Sequence, residues 1–171
     1  MTTIDRRDVI DATATQIFEA LTTAEFFDGL VDHLEKVESV EVIEIEDLGE
    51  GRFRRVLRFT APTQLPRFLK KFAEKAPEQV NWDEIAEVDT NSRRISFEII
   101  PEMPTHWHDR YESTGRLSAT EVGAGKTEVA QSVTYSINAP KGFGMLINRA
   151  LKSEVAEVFE AQAKHLQEYF R

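Results

Sequence analysis

From Pro140 to Arg171 apolar residues recur at three- and four-residue steps: Phe143, Ile147, Leu151, Val155, Val158, Phe159, Leu166 and Phe170. The spacing predicts one long amphipathic helix whose apolar stripe must lie on a large sheet. Near the start, a short strand is expected over Ile4–Asp11. A helix over Ala12–Leu21 follows, with Ile17, Phe18 and Leu21 on one side and Thr13 or Thr15 as the N-cap. Ala24–Leu34 repeats the helical period through Phe26, Phe27, Leu30, Val31 and Leu34, with Thr23 or its neighbour as cap and Gly29 as the weak point.

From Val37 the period becomes two. Val40 and Val42 share a face, whereas Ile43 and Ile45 fall on the opposite one, a phase flip that predicts a bulge. After the turn Leu48–Gly51, Phe53, Leu57 and Phe59 alternate with outward Arg54 and Arg58, so Arg55 lands on the apolar face. Strands over Val80–Val88 and Arg94–Ile100 turn Val80, Trp82, Ala86 and Val88, then Ile95, Phe97 and Ile99, to the same interior, with Glu84 among them. Beyond the Pro101–Pro104 loop come a long strand over Thr105–Thr120, a turn at Gly123–Lys126 and a last strand over Thr127–Asn138. The sum is an α+β chain: about six or seven antiparallel strands, two short helices near the beginning and one long helix at the end.

This order resembles the START-like superfamily, the helix-grip or SRPBCC-type group of polyketide cyclases and lipid-transport proteins, in particular its uncharacterised bacterial members. The likeness covers essentially the whole chain. It is carried by Ala14–Leu21 after the first strand, by a middle segment bearing Pro62 and Pro66, and by Pro140–Gly144 ahead of the terminal helix. The resemblance implies a curved antiparallel sheet gripping the helix around an apolar cavity for a lipid, sterol, polyketide or similar molecule. It also implies that Ile147, Leu151 and Val155, mid-stripe on the helix, form one wall of that cavity. In some relatives cavity residues catalyse cyclisation or dehydration; no catalytic signature of theirs is matched here.

Composition narrows the partners. With 171 residues and 41% hydrophobic content, one domain over 1–171 is expected, interrupted by a helical insertion at about 61–79. The 21 basic and 30 acidic residues leave a net charge of -9, which repels nucleic acid and anionic membrane as a whole-molecule field. The absence of cysteine excludes a disulfide framework, a thiolate nucleophile and a cysteine-based zinc site. No apolar run approaches the roughly 18 residues of a membrane span, so a soluble, cytoplasmic protein is expected.

Several side chains suggest a pocket. If Leu117 points inward, parity brings Trp107, Asp109, Tyr111, Ser113 and Gly115 inward with it, an aromatic and small-polar face where a solid core would use Leu, Ile or Val. On the next strand Gln131 and Tyr135 interleave with Val129, Val133 and Ile137. Phe59, Trp82 and Phe97 would supply the apolar wall, giving a few polar groups converging on apolar surface. A register break near Pro104 or Tyr111 would instead turn Asp109 to solvent. Arg55 either anchors a ligand carboxylate or phosphate through its forked donors or forms a structural ion pair with Glu84.

Asp109 and Tyr135 are the candidate acid and base: desolvation beside Trp107 would raise a carboxyl pKa, and a tyrosine can polarise a carbonyl. That pair makes a cyclase- or aromatase-like enzyme the alternative to a carrier or sensor. In Ala61–Gln79, Leu65, Phe68, Leu69 and Phe72 face one way while Arg67, Lys70, Lys71 and Lys75 occupy the rest. This basic amphipathic segment reads either as a lid touching membrane or partner protein, or as a helix packed on the sheet. His106 and His108 share a strand face but lack a third ligand, so no metal is expected, and nothing implies a cofactor.

Overall fold

A computed structural model describes residues 1–63, 78–102, 111–138 and 144–171, without the side chains of 144–147 and 150. The strands are β1 (Thr2–Ile10), β2 (Ser39–Gly49), β3 (Arg52–Pro62), β4 (Gln79–Asp89), β5 (Arg94–Pro101), β6 (Tyr111–Gly123) and β7 (Lys126–Ile137). They make one seven-stranded antiparallel sheet in the order β1-β7-β6-β5-β4-β3-β2, so that β1 alone departs from a sequential meander. Between β1 and β2 the chain crosses one face of the sheet through α1 (Ala14–Ala20), α2 (Ala24–Asp28) and a 3-10 turn at Leu30–His33; α3 (Gly144–Tyr169) ends the fold. Together these make the START-like helix grip. Among the described residues no helix is long and apolar enough to cross a membrane.

Local chemistry explains the boundaries. Thr13, not Thr15, caps α1: its hydroxyl accepts from the Gln16 backbone N–H while the Gln16 side chain accepts from the Thr13 N–H, a reciprocal capping box. Thr23 precedes α2 without a side-chain cap; its hydroxyl donates back to the Ala20 carbonyl instead. The expected helix over Ala24–Leu34 breaks at Gly29 into α2 and the 3-10 turn. Gly29 also lets α2 and α3 approach closely, because a β-carbon there would lie 2.8 Å from the His165 ring of α3.

The bulge foreseen in β2 falls between Val42 and Glu44. It absorbs Ile43, which is half exposed, and returns Ile45 to the face of Val40 and Val42, opposite Arg55, rather than leaving it on the other face. Strand β6 is described from Tyr111 and runs on to Gly123, beyond the expected end at Thr120.

Odd-numbered residues of β3, β5, β6 and β7 and even-numbered residues of β1 and β4 line the concave face, as cross-strand partners share a side. The main core there joins Leu57, Phe59, Ala86, Val88, Ile95, Leu117 and Val129 to α1, α2 and the end of α3. A second cluster, Ile4, Val133, Tyr135 and Phe159, packs with Leu151 and Val155 of α3. Charges hold α3 from both sides. Lys36, just before β2, meets Glu154 at 2.8 Å and Glu157 at 3.3 Å, while Arg6 of β1 approaches Glu160 at 3.8 Å.

Candidate ligand-binding site

The tight turns 49–52, 89–94 and 123–126 gather at one end of the antiparallel sheet, so Pro62, Gln79, Pro101, Tyr111 and Ile137 gather at the other. On the concave face the polar residues Arg55 and Glu84 sit within the main core, and Gln131 sits between that core and the second cluster. Alternation along β3 forces Arg55 inward between Phe53 and Leu57, where it is 2% exposed. Its guanidinium donates to the Glu84 carboxylate at 2.6 Å and to the Leu21 carbonyl at 2.8 Å, and lies 4.7 Å from the Phe27 ring centroid. Arg55 and Glu84 therefore pair, as one of the two sequence readings held. Yet Arg55 Nε has no acceptor among the described residues.

Gln131, in the middle of β7, is also 2% exposed, and its Nε2 likewise finds no partner among the described residues. Each buried, unsatisfied donor costs about 1–3 kcal/mol. Around them the face is largely apolar or aromatic, with Glu84 beside Arg55 and the ion-paired Arg6 opposite Gln131.

The other expected residues fall into groups. Phe59 and Trp82, opposite one another on β3 and β4, stack in parallel with centroids 5.3 Å apart. Phe97, Tyr111, Leu151 and Val155 are brought together around Tyr135 and Val133. The Tyr135 hydroxyl donates to the Asn148 carbonyl of α3 at 3.1 Å, and the Thr2 hydroxyl donates to the Asn148 side-chain oxygen at 2.9 Å, which ties β1 and β7 to the helix. Burial is the main cause that pushes the phenol pKa of both Tyr135 and Tyr111 up. Both hydroxyls thus stay protonated as donors near neutral pH.

Ser113 has a different task. The β5–β6 ladder ends at Phe97 opposite Gly115, and beyond it the Ser113 hydroxyl accepts from the Ile99 N–H at 2.8 Å and donates to the Ile99 carbonyl at 3.0 Å. Its hydrogen-bonding capacity is used to hold the separating strands. Trp107 and Asp109, the Ile147 side chain, the basic-segment residues Phe68, Leu69, Lys70, Lys71 and Phe72, and His106 and His108 lie outside the described residues.

Sequence reasoning missed Asn148, Leu21 and Phe27 as partners of this face. A helix period tells which side of α3 is apolar but not which residue stands opposite Tyr135. The backing of Arg55 by α1 and α2 leaves no trace in β3 itself.

A family model described as "Protein of unknown function (DUF2505)" matches residues 6–170. The chain belongs to this family. No curated protein matches this DUF2505 chain. Its backbone is similar to that of solved structures. TTHA0849 from Thermus thermophilus matches with TM-score 0.66 at 20% identity, over 98% of this chain and 99% of that one. The Zhui aromatase/cyclase from Streptomyces sp. R1128 matches with TM-score 0.65 at 15% identity, over 99% and 96%. A START superfamily protein from Mycobacterium smegmatis matches with TM-score 0.58 at 12% identity, over 98% and 95%. At such identities the likeness is one of fold, and it agrees with the helix grip built above.

Proposed function

We propose that this DUF2505 protein binds a hydrophobic or amphipathic small molecule between the concave face of its sheet and α3. The observation that carries the reading is the pair of buried donors, Arg55 Nε and Gln131 Nε2, which have no acceptor among the described residues on a largely apolar and aromatic surface. A ligand whose apolar body covers that surface and whose oxygens accept from these two groups would satisfy both. Apolar burial, at roughly 25 cal/mol per Å², would supply the affinity and the polar contacts the orientation. The fold is one that also serves the aromatase/cyclase from Streptomyces and a START superfamily protein, and this likeness is consistent with a binding role.

A cyclase-like enzyme would need Asp109, outside the described residues, and Tyr135, whose hydroxyl is already bonded to the helix backbone. Binding without turnover is therefore the reading taken. The test is Gln131→Met, which removes the orphan donor at nearly constant volume. The ligand-free variant should be more stable than the parent and should retain less ligand on purification. A variant that is less stable and retains just as much would make Gln131 a structural residue and refute its role in binding.

A further inference from the structure

The opposite face of the sheet carries an arrangement that the concave site does not explain. Arg52, Asp89, Arg94 and Ser118 form one cross-strand row, and Arg54, Glu87, Ser96 and Arg116 the next. Their inward neighbours Val88, Ile95 and Leu117 are core residues, so both rows point away from the helices. A groove of about 770 Å³ runs across them, with Leu48 at the β2–β3 end and Arg116 at the β6 end. That volume lies within the usual range for small-molecule sites, about 300–1,000 Å³.

Charge pairing sets the groove apart. The sheet arginines Arg6, Arg7, Arg54, Arg55 and Arg58, and Arg93 in the β4–β5 turn, each meet a carboxylate. Arg52 on β3 and Arg94 and Arg116, diagonal neighbours on β5 and β6, have no hydrogen bond or ion pair among the described residues, although carboxylates outnumber cations in this chain; Arg52 acts on its cross-strand partner Asp89 through charge alone. Two carboxylates border them. Asp89 is committed to the turn, accepting from the Asn91 and Ser92 backbone N–H groups at 3.0 Å each, and its pKa is lowered mainly by Ser92. Glu87 makes no such bond and stands between the apolar end and the arginines.

We propose that this groove binds a nucleoside phosphate. Its phosphate would take the forked donors of Arg94 and Arg116 with the Ser96 hydroxyl beside them. Its sugar hydroxyls would donate to Glu87, and its base would cover Leu48. From Leu48 on β2 to Arg94 on β5 is three strand spacings, about 14 Å, with Arg116 one strand further, which suits a molecule of that length. Binding is salt-sensitive, since the site is open and the whole molecule is acidic.

The experiment is an isothermal titration of the intact protein with ADP, inorganic phosphate and adenosine, repeated on Arg94→Ala/Arg116→Ala and on Arg58→Ala, a control arginine outside the groove. Expected are saturable binding of ADP, at least about tenfold weaker binding of phosphate and of adenosine, a loss of about tenfold or more in the double variant, and no change in Arg58→Ala. Phosphate binding as tightly as ADP would overturn the nucleoside assignment. No saturable ADP binding, or equal binding by the double variant with its melting temperature intact, would overturn the site.

Discussion

The ring of Phe97 on β5 lies where the side chain of any residue other than glycine at position 115 of β6 would begin. The two are direct cross-strand partners, so the missing side chain of one is the seat of the other. This seat also marks the last rung of the β5–β6 ladder, beyond which Ser113 takes over.

Gly115→Ala should therefore displace Phe97 from a packed interior. The expected loss is about 1–3 kcal/mol in urea-unfolding free energy, the usual cost of overpacking. An unchanged midpoint would mean that the ring has room to move and that the seat is not restrictive.

The Arg55–Glu84 pair leads to a second expectation. Glu84→Ala leaves a buried guanidinium without its counter-charge, which costs about 3–5 kcal/mol, or a melting point lower by roughly 10 °C. Replacing both partners, as Arg55→Met/Glu84→Leu, should recover most of that loss, because two desolvated charges vanish together. If the double variant is as unstable as the single one, the pair organises more of the fold than its own contact.

His165 gives a pH dependence with a definite sign. Its Nε2–H donates to the Phe26 carbonyl of α2 at 2.6 Å. The His33 ring from the 3-10 turn lies 5.0 Å away, with Asp32 on that turn and Glu168 on α3 acting in the opposite sense. Burial is the largest influence and lowers the pKa below its ordinary 6.5; His33 lowers it further, while the Phe26 bond and the two carboxylates raise it. The folded chain then binds fewer protons at this site than the unfolded one. The stability it contributes is complete above about pH 6.5 and is lost as pH falls toward the depressed folded value. Urea unfolding of His165→Leu between about pH 5 and pH 8 should show a flatter slope than the parent. An identical slope would place the titration elsewhere.

Much of this was legible in the chain. Alternation from Phe53 to Phe59 put Arg55 among apolar residues, and no arrangement of β3 could then keep its charge in water. The phase flip at Ile43 announced the bulge, though not that Ile45 would return to the inner face. The two threonines were left as alternative caps, and the reciprocal bonds with Gln16 decide for Thr13. The contact of Asn148 with Tyr135 was not legible, because the axial position of a helix on a sheet is fixed by packing of the whole and by no local period. Ser113 was placed inward by parity, but strand separation after Phe97 gave its hydroxyl to Ile99. That Gln131 Nε2 has no acceptor among the described residues depends on the neighbouring strands and α3, and nothing in β7 itself signals it.

Occupancy of the concave face is read by native mass spectrometry of gently purified protein. The predicted spectrum contains the chain with about one apolar organic molecule bound, identified by extraction, and the adduct diminishes in Leu151→Trp, where a larger side chain enters the space beside Tyr135. A bare mass for the parent, unchanged after incubation with extracts of lipids and aromatic polyketides, would contradict the account.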